Sequence, residues 1–231
     1  MVETSEVSKN ENKINTKELL GDVFYGAVKG IGGLALKLFT NLEIEGKENI
    51  PLRGKAILTT VSKNVIRDLL IISQVSGRKI HFMLNPKLMR HQIAGPVLKS
   101  LGMIRSTESK DDTEPIDNVF RILNEEGDLV AMTPEAKLDR ETKIKSMAAI
   151  IKFAVAADAP IIPIAVVRKK TKLFNMVNSN GFKVKVGNPL PLDKKLNRDK
   201  YRSQRYEIAE DILNIIESLE EEEELEEENN K

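Results

Sequence analysis

Apolar positions along the chain change period repeatedly, and each change marks an element. Residues 55–61 (KAILTTV) form a short continuous apolar run of strand length. Over 64–75, Val65, Leu69, Leu70 and Ile72 then recur at helical spacing. The alternation continues with a strand over 79–84, helical spacing over 86–102 broken near Gly95-Pro96, and a short strand at 103–105. A helix over 114–127 is closed by Gly127, and 128–133 reads as a strand. A helix over 145–158, a strand over 160–167, a half-exposed strand over 182–190 and a last helix over 201–219 complete the series. Repeated strand–helix units with buried strands predict an α/β fold, a mixed and partly parallel sheet flanked by helices.

In such sheets ligands sit beyond the carboxyl ends of strands. Two polar turns occupy that position here. One holds Ser62, Lys63, Asn64, Arg67 and Asp68 directly after the strand at 55–61; the other spans Thr133 to Arg140. Ser62 or Asn64 also suits a helix cap, a local duty independent of chemistry.

Ahead of the alternating region, residues 21–39 place Phe24, Val28, Ile31, Ala35 and Leu38 on one helical face and Asp22, Lys29 and Lys37 opposite. Two readings fit this amphipathic helix: packing on the core, or lying in a membrane interface. Its GIGGLA letters resemble a dinucleotide fingerprint, but no strand precedes them, so that match is discarded. The expected organisation is a disordered polar segment over 1–20, a domain over 21–216 that begins with this helix, and an acidic tail over 217–231.

Composition narrows the chemistry. With 231 residues, 41% hydrophobic and 31% charged, the chain suits one globular domain. It has no cysteine, which excludes disulfides and thiol catalysis, and its two histidines argue against a zinc site, so no metal is expected. The net charge of +1 includes nine glutamates between Glu217 and Glu228, which leaves +10 on the remainder. A basic body suits an anionic partner. Aromatic content of 4% gives nucleic-acid stacking little to work with, so nucleic acid is not the expected partner. The polar start and the lack of a bilayer-length apolar run predict a cytoplasmic chain.

The two polar turns and the segments around them, roughly 42–192, resemble the glycerolipid acyltransferase family that includes lysophosphatidate acyltransferases. LEIEGKENIPLRGKAILTTVS looks like the approach to its first motif. RKIHFMLNPKLMRHQIAGPVLKSLGMI resembles the lead into its second, GDLVAMTPEAKLDR stands at its third, and ADAPIIPIAVV resembles its fourth. The resemblance implies a glycerol-3-phosphate acyltransferase-like fold. It also implies an acyl-CoA or acyl-carrier thioester as co-substrate, with no other cofactor, and a glycerol-phosphate-like acceptor.

The family's chemistry rests on His-x-x-x-x-Asp, in which the histidine accepts the proton of the attacking hydroxyl and the aspartate orients the ring. Here those positions are Lys63 and Asp68. A free lysine titrates near ~10.4, so a base near pH 7 requires destabilising its ammonium by about 4 kcal/mol. Asp68, expected beside it, pushes the other way. In the third motif Pro134 and Glu135 match, but Ala136, Lys137 and Leu138 replace Gly-Thr-Arg, leaving Lys137 or Arg140 to offer a point charge to phosphate. Thr107 and Glu108 stand where the family has an Asp-Arg pair, and Lys145 matches a later lysine whose companion glycine is Met147. His81, in a strand, and His91, in a short helix that the family lays on the membrane, read as ordinary residues and not as replacement bases.

The candidate site is thus Lys63 and Asp68 at the catalytic positions, with Glu135, Lys137, Arg140 and Lys145 towards substrate. The joint loss of one base and two anion-holding positions favours an impaired or non-catalytic family member. Such a protein would act peripherally at the cytoplasmic face of a membrane, binding anionic lipid, lysophospholipid or acyl-CoA. An active acyltransferase with a lysine base is the alternative, and a nucleic-acid or protein scaffold using only the basic surface the third reading.

Overall fold

Runs of branched and small apolar residues form strands buried on both faces, and those strands dictate the layers. The computed structural model describes residues 21–31, 34, 42–109, 111–173 and 177–229. The expectations for 1–20, and those for Ala35, Lys37 and Leu38, lie outside these residues. A helix over 21–31 (α1) precedes β1 (Leu42–Glu45) and β2 (Ala56–Thr59). Next come α2 (Val65–Ile72), β3 (Ile80–Leu84), α3 (Pro86–Met89), α4 (Ala94–Ser100) and β4 (Ile104–Arg105). α5 (Glu114–Arg121) runs into a π-helical turn at Ile122–Glu126, followed by β5 (Leu129–Ala131) and α6 (Arg140–Ala157). β6 (Ile161–Leu173), β7 (Val177–Val186) and α7 (Arg202–Asn229) complete the chain.

The strands form one sheet in the order β1-β7-β6-β2-β5-β3-β4. Every neighbouring pair is parallel except β6–β7, which is an antiparallel hairpin. The mixed, mostly parallel sheet agrees with the sequence expectation. Alternate strand residues feed two cores. Leu58, Phe82, Ala131 and Ile162 pack with Ile71 of α2 and Met89 of α3 on one face. Ile57, Val130 and Ile161 pack with Val119, Met147, Ile151 and Leu213 of α5, α6 and α7 on the other. Burying each large aliphatic side chain stabilises the fold by roughly 1.5–3 kcal/mol, so this three-layer arrangement holds the strand ends firmly in place.

Two elements differ from the sequence reading. The wheel of 21–39 turns Phe24, Val28 and Ile31 together, yet the buried face of α1 is set by Tyr25, with Val28 and Lys29 partly covered. Phe24 and Ile31 are exposed. The Tyr25 hydroxyl accepts from the Ile80 amide at 3.1 Å, and Lys29 Nζ donates to the Ser76 and Arg78 carbonyls. These long-range polar anchors decide the rotation of the helix, and a wheel does not contain them. Burial destabilises the Lys29 ammonium and lowers its pKa, with the positive charge of Lys47 adding to the effect.

The acidic segment also differs. Helix α7 does not stop near residue 219 but continues through that segment to Asn229. Among the described residues no helix is long and apolar enough to cross a membrane.

Candidate functional site

Adjacent strands β2 and β5 both end at the same edge, because Ile57 pairs with Val130 in parallel register. The chain leaving β2 and the chain leaving β5 therefore run side by side. The Ser62 amide donates to the Pro134 carbonyl at 3.1 Å, and the Ala136 amide donates to the Ser62 carbonyl at 2.9 Å. A parallel bridge joins Ser62 to Glu135. The two polar turns singled out in the sequence are thus one structure.

Asp68 is the centre of the first turn. It is 3% exposed, and Oδ2 accepts from the Ser62 hydroxyl (2.9 Å), the Lys63 amide (3.0 Å) and the Asn64 amide (3.1 Å). Oδ1 accepts from Arg67 Nε at 2.8 Å, with a second guanidinium nitrogen at 2.6 Å. Asn64 in turn caps α2 by accepting from the Arg67 amide at 3.1 Å. This is a reciprocal cap: Asn64 accepts from the Arg67 amide of the first turn, and Asp68 reaches back to the Lys63 and Asn64 amides before it. Arg67 is held further by the Phe182 ring, 5.3 Å from its guanidinium carbon.

Lys63 does not share this cluster. Its backbone does, but its side chain turns outward, and Nζ donates to Glu220 Oε2 of α7 at 2.7 Å. The anion beside the lysine is therefore Glu220, where the sequence expectation had placed Asp68. Sequence reasoning missed Glu220 because the nine glutamates read as one solvated run, with nothing to distinguish its first turn.

Arg140 opens α6 behind the Asp139 cap, and Asp139 accepts from the Thr142 amide at 2.9 Å. The Arg140 guanidinium binds Glu217 and Asn214, again on α7. One helix thus engages two of the candidate cations. Glu135 and Lys137 lie exposed on the turn after β5. Lys145 stands apart: it pairs with Glu141 one turn earlier on α6, and that carboxylate raises its pKa. It lines a small separate cleft with Lys152, Arg202 and Tyr206. The structure therefore gathers Lys63, Asp68 and Glu135 at one strand edge, links Arg140 to them through α7, and leaves Lys145 outside.

His91 is exposed, and its Nδ1 accepts from the Ile93 and Ala94 amides at 3.3 Å, the position of a local cap. His81 is buried in β3 and stands at the opposite end of the sheet from Lys63, beside the residues that lead into β5.

A mostly parallel sheet with paired polar turns at its carboxyl edge defines a recognisable class, and the sequence bears it out. A model of the Acyltransferase family matches residues 41–167, so the chain belongs to the acyltransferase family. Its fold is similar to that of the 1-acyl-sn-glycerophosphate (LPA) acyltransferase PlsC from Thermotoga maritima, with a TM-score of 0.59 at 16% identity. The likeness covers 90% of this chain and 84% of that one. No curated protein matches the sequence.

Proposed function

We propose that this chain is an acyltransferase-family protein whose transfer chemistry is lost or strongly impaired, and that it binds lysophospholipid or acyl thioester at the cytoplasmic face of a membrane. One observation carries the first half. The side chain at the family's base position is a lysine that donates to Glu220, and the partner aspartate spends both oxygens on Ser62, two backbone amides and Arg67. No group in this turn is arranged to take a proton from an acceptor hydroxyl. Removing one member of a catalytic unit ordinarily removes most of its rate enhancement.

The membrane half rests on exposed apolar side chains. Val23, Phe24, Ile31 and Leu34 of the N-terminal segment face solvent, as do Ile93 and Val97 around α4. The start of α1 abuts the end of α4, where a Cβ on Gly21 would stand 3.3 Å from the Ser100 carbonyl oxygen. Lys87, Arg90 and Lys99 supply exposed cations on the same stretch of chain, as an interfacial surface facing anionic lipid requires.

Two measurements on the full chain test the reading. Cosedimentation with vesicles containing anionic phospholipid is expected to retain the protein, and to lose it when Phe24 and Ile31 are both made aspartate. An acyl-thioester assay with lysophosphatidate as acceptor is expected to show no transfer above background. Transfer that disappears in Lys63→Ala would instead establish an active enzyme with a lysine at its centre.

A further inference from the structure

His81 is an imidazole prepared for a ligand it does not have among the protein's own atoms. It is 5% exposed, and its Nδ1 lies 2.7 Å from the Gly102 carbonyl oxygen. A carbonyl only accepts, so Nδ1 carries the proton, and in the neutral imidazole this leaves the Nε2 lone pair bare. Among the described residues, Nε2 is the one buried side-chain nitrogen or oxygen without a hydrogen-bond partner. Leaving such a group unsatisfied costs about 1–3 kcal/mol, which calls for an explanation.

Two carboxylate oxygens face Nε2, Asp128 Oδ2 at 3.6 Å and Glu126 Oε2 at 3.9 Å. The other oxygen of each carboxylate is engaged elsewhere. Asp128 Oδ1 is 3.1 Å from Arg78, and Glu126 Oε1 pairs with Arg121. The second oxygens are thus held towards Nε2 without reaching it. A separation of 3.6 Å exceeds a hydrogen bond, and the geometry decides the reading. An imidazolium would draw these oxygens to about 2.7–2.9 Å. Around a tetrahedral zinc with ligand bonds of about 2.0–2.2 Å, neighbouring ligand atoms stand about 3.4 Å apart.

Local backbone builds this cluster. The π-helical turn at Ile122–Glu126 and the left-handed Gly127 (φ 67°) place Glu126 and Asp128 on the same side, immediately before β5. Such π turns are frequent at functional sites. Gly102 (φ 76°) brings its carbonyl onto His81, and a Cβ there would stand 3.1 Å from Nδ1. The three ligand atoms lie within 4.8 Å of one another. All three residues line a cleft of about 1760 Å³ below α1, which leaves room for the remaining coordination positions.

We infer that His81, Glu126 and Asp128 form a binding site for a divalent transition-metal ion such as Zn²⁺, with the Gly102 carbonyl fixing the histidine tautomer. One imidazole and two carboxylates suit zinc, cobalt or manganese better than calcium or magnesium. The site lies at the amino edge of β3 and β5, away from Lys63, and stands independently of any acyl chemistry.

Calorimetric titration of the untagged full chain with Zn²⁺, and Co²⁺ absorption in the visible range, test it. One ion per chain is expected. His81→Ala and Glu126→Gln should each weaken binding at least tenfold, while His91→Ala leaves it unchanged. Glu126 is exposed, so its variant folds even if removal of His81 disturbs the core. Saturable binding that is absent, or equally strong in His81→Ala and Glu126→Gln, overturns the proposal. So does nitrogen NMR showing His81 doubly protonated at pH 7 and unmoved by Zn²⁺.

Discussion

Lys63 Nζ lies 2.7 Å from Glu220 Oε2, a contact that ties the end of β2 to a helix 157 residues further along the chain. Arg140 meets Glu217 three residues earlier on the same helix. Together these pairs hold the first turns of the acidic run against the edge of the sheet and relieve part of its self-repulsion. Glu220→Gln combined with Glu217→Gln is expected to speed amide exchange across 217–229 and leave β2 and β5 unchanged. The loss in global stability should stay within about 1 kcal/mol per pair, because Lys63 and Arg140 are both substantially exposed. Exchange rates equal to those of the natural chain would show that the pairs do not anchor the helix.

Asp68 has a structural duty that a purely catalytic carboxylate would not have. Asp68→Ala strands the Ser62 hydroxyl, two amides and a guanidinium in a buried turn, and is expected to cost about 3–5 kcal/mol in urea unfolding of the full chain. Asp68→Asn keeps an acceptor and should cost less. A neutral Asp68→Ala would remove the capping account.

How much of this was legible beforehand depends on sequence separation. The strands β2, β3 and β5 and the helices between them followed from apolar period, because burial marks each element's own residues however far off its partners lie. The two polar turns were legible through motif order. The rotation of α1 was not, since it is set by the Tyr25 hydroxyl and Lys29 reaching partners 55 and about 47 residues away. The β6–β7 hairpin extends well beyond the apolar stretches that announce it, as the rungs from Lys169–Gly181 to Lys172–Asn178 carry no apolar signal. Glu220 and the His81–Glu126–Asp128 cluster escaped for the same reason: their chemistry arises only when distant segments meet.

Strong acid should weaken the turn after β4. Arg105 binds Asp112 through both guanidinium nitrogens, and this holds the aspartate down to about 2 from its ordinary 3.8. A carboxylate whose folded pKa is depressed contributes stability that is complete above its unfolded value and is lost as pH falls through the folded one. The contribution should therefore decline between about pH 4 and pH 2. In Asp112→Asn, that part of the acid dependence of unfolding should disappear. An unchanged profile would mean that the pair does not stabilise the fold.

The central claim is that the lysine at the base position leaves this acyltransferase-family protein without a proton acceptor for transfer. Acyl-thioester turnover with lysophosphatidate, compared between the natural chain, Lys63→Ala and Lys63→His, tests it most directly. The account predicts background rates for the first two and measurable transfer in Lys63→His, where an imidazole returns to the base position. Turnover by the natural chain that is abolished in Lys63→Ala would contradict it.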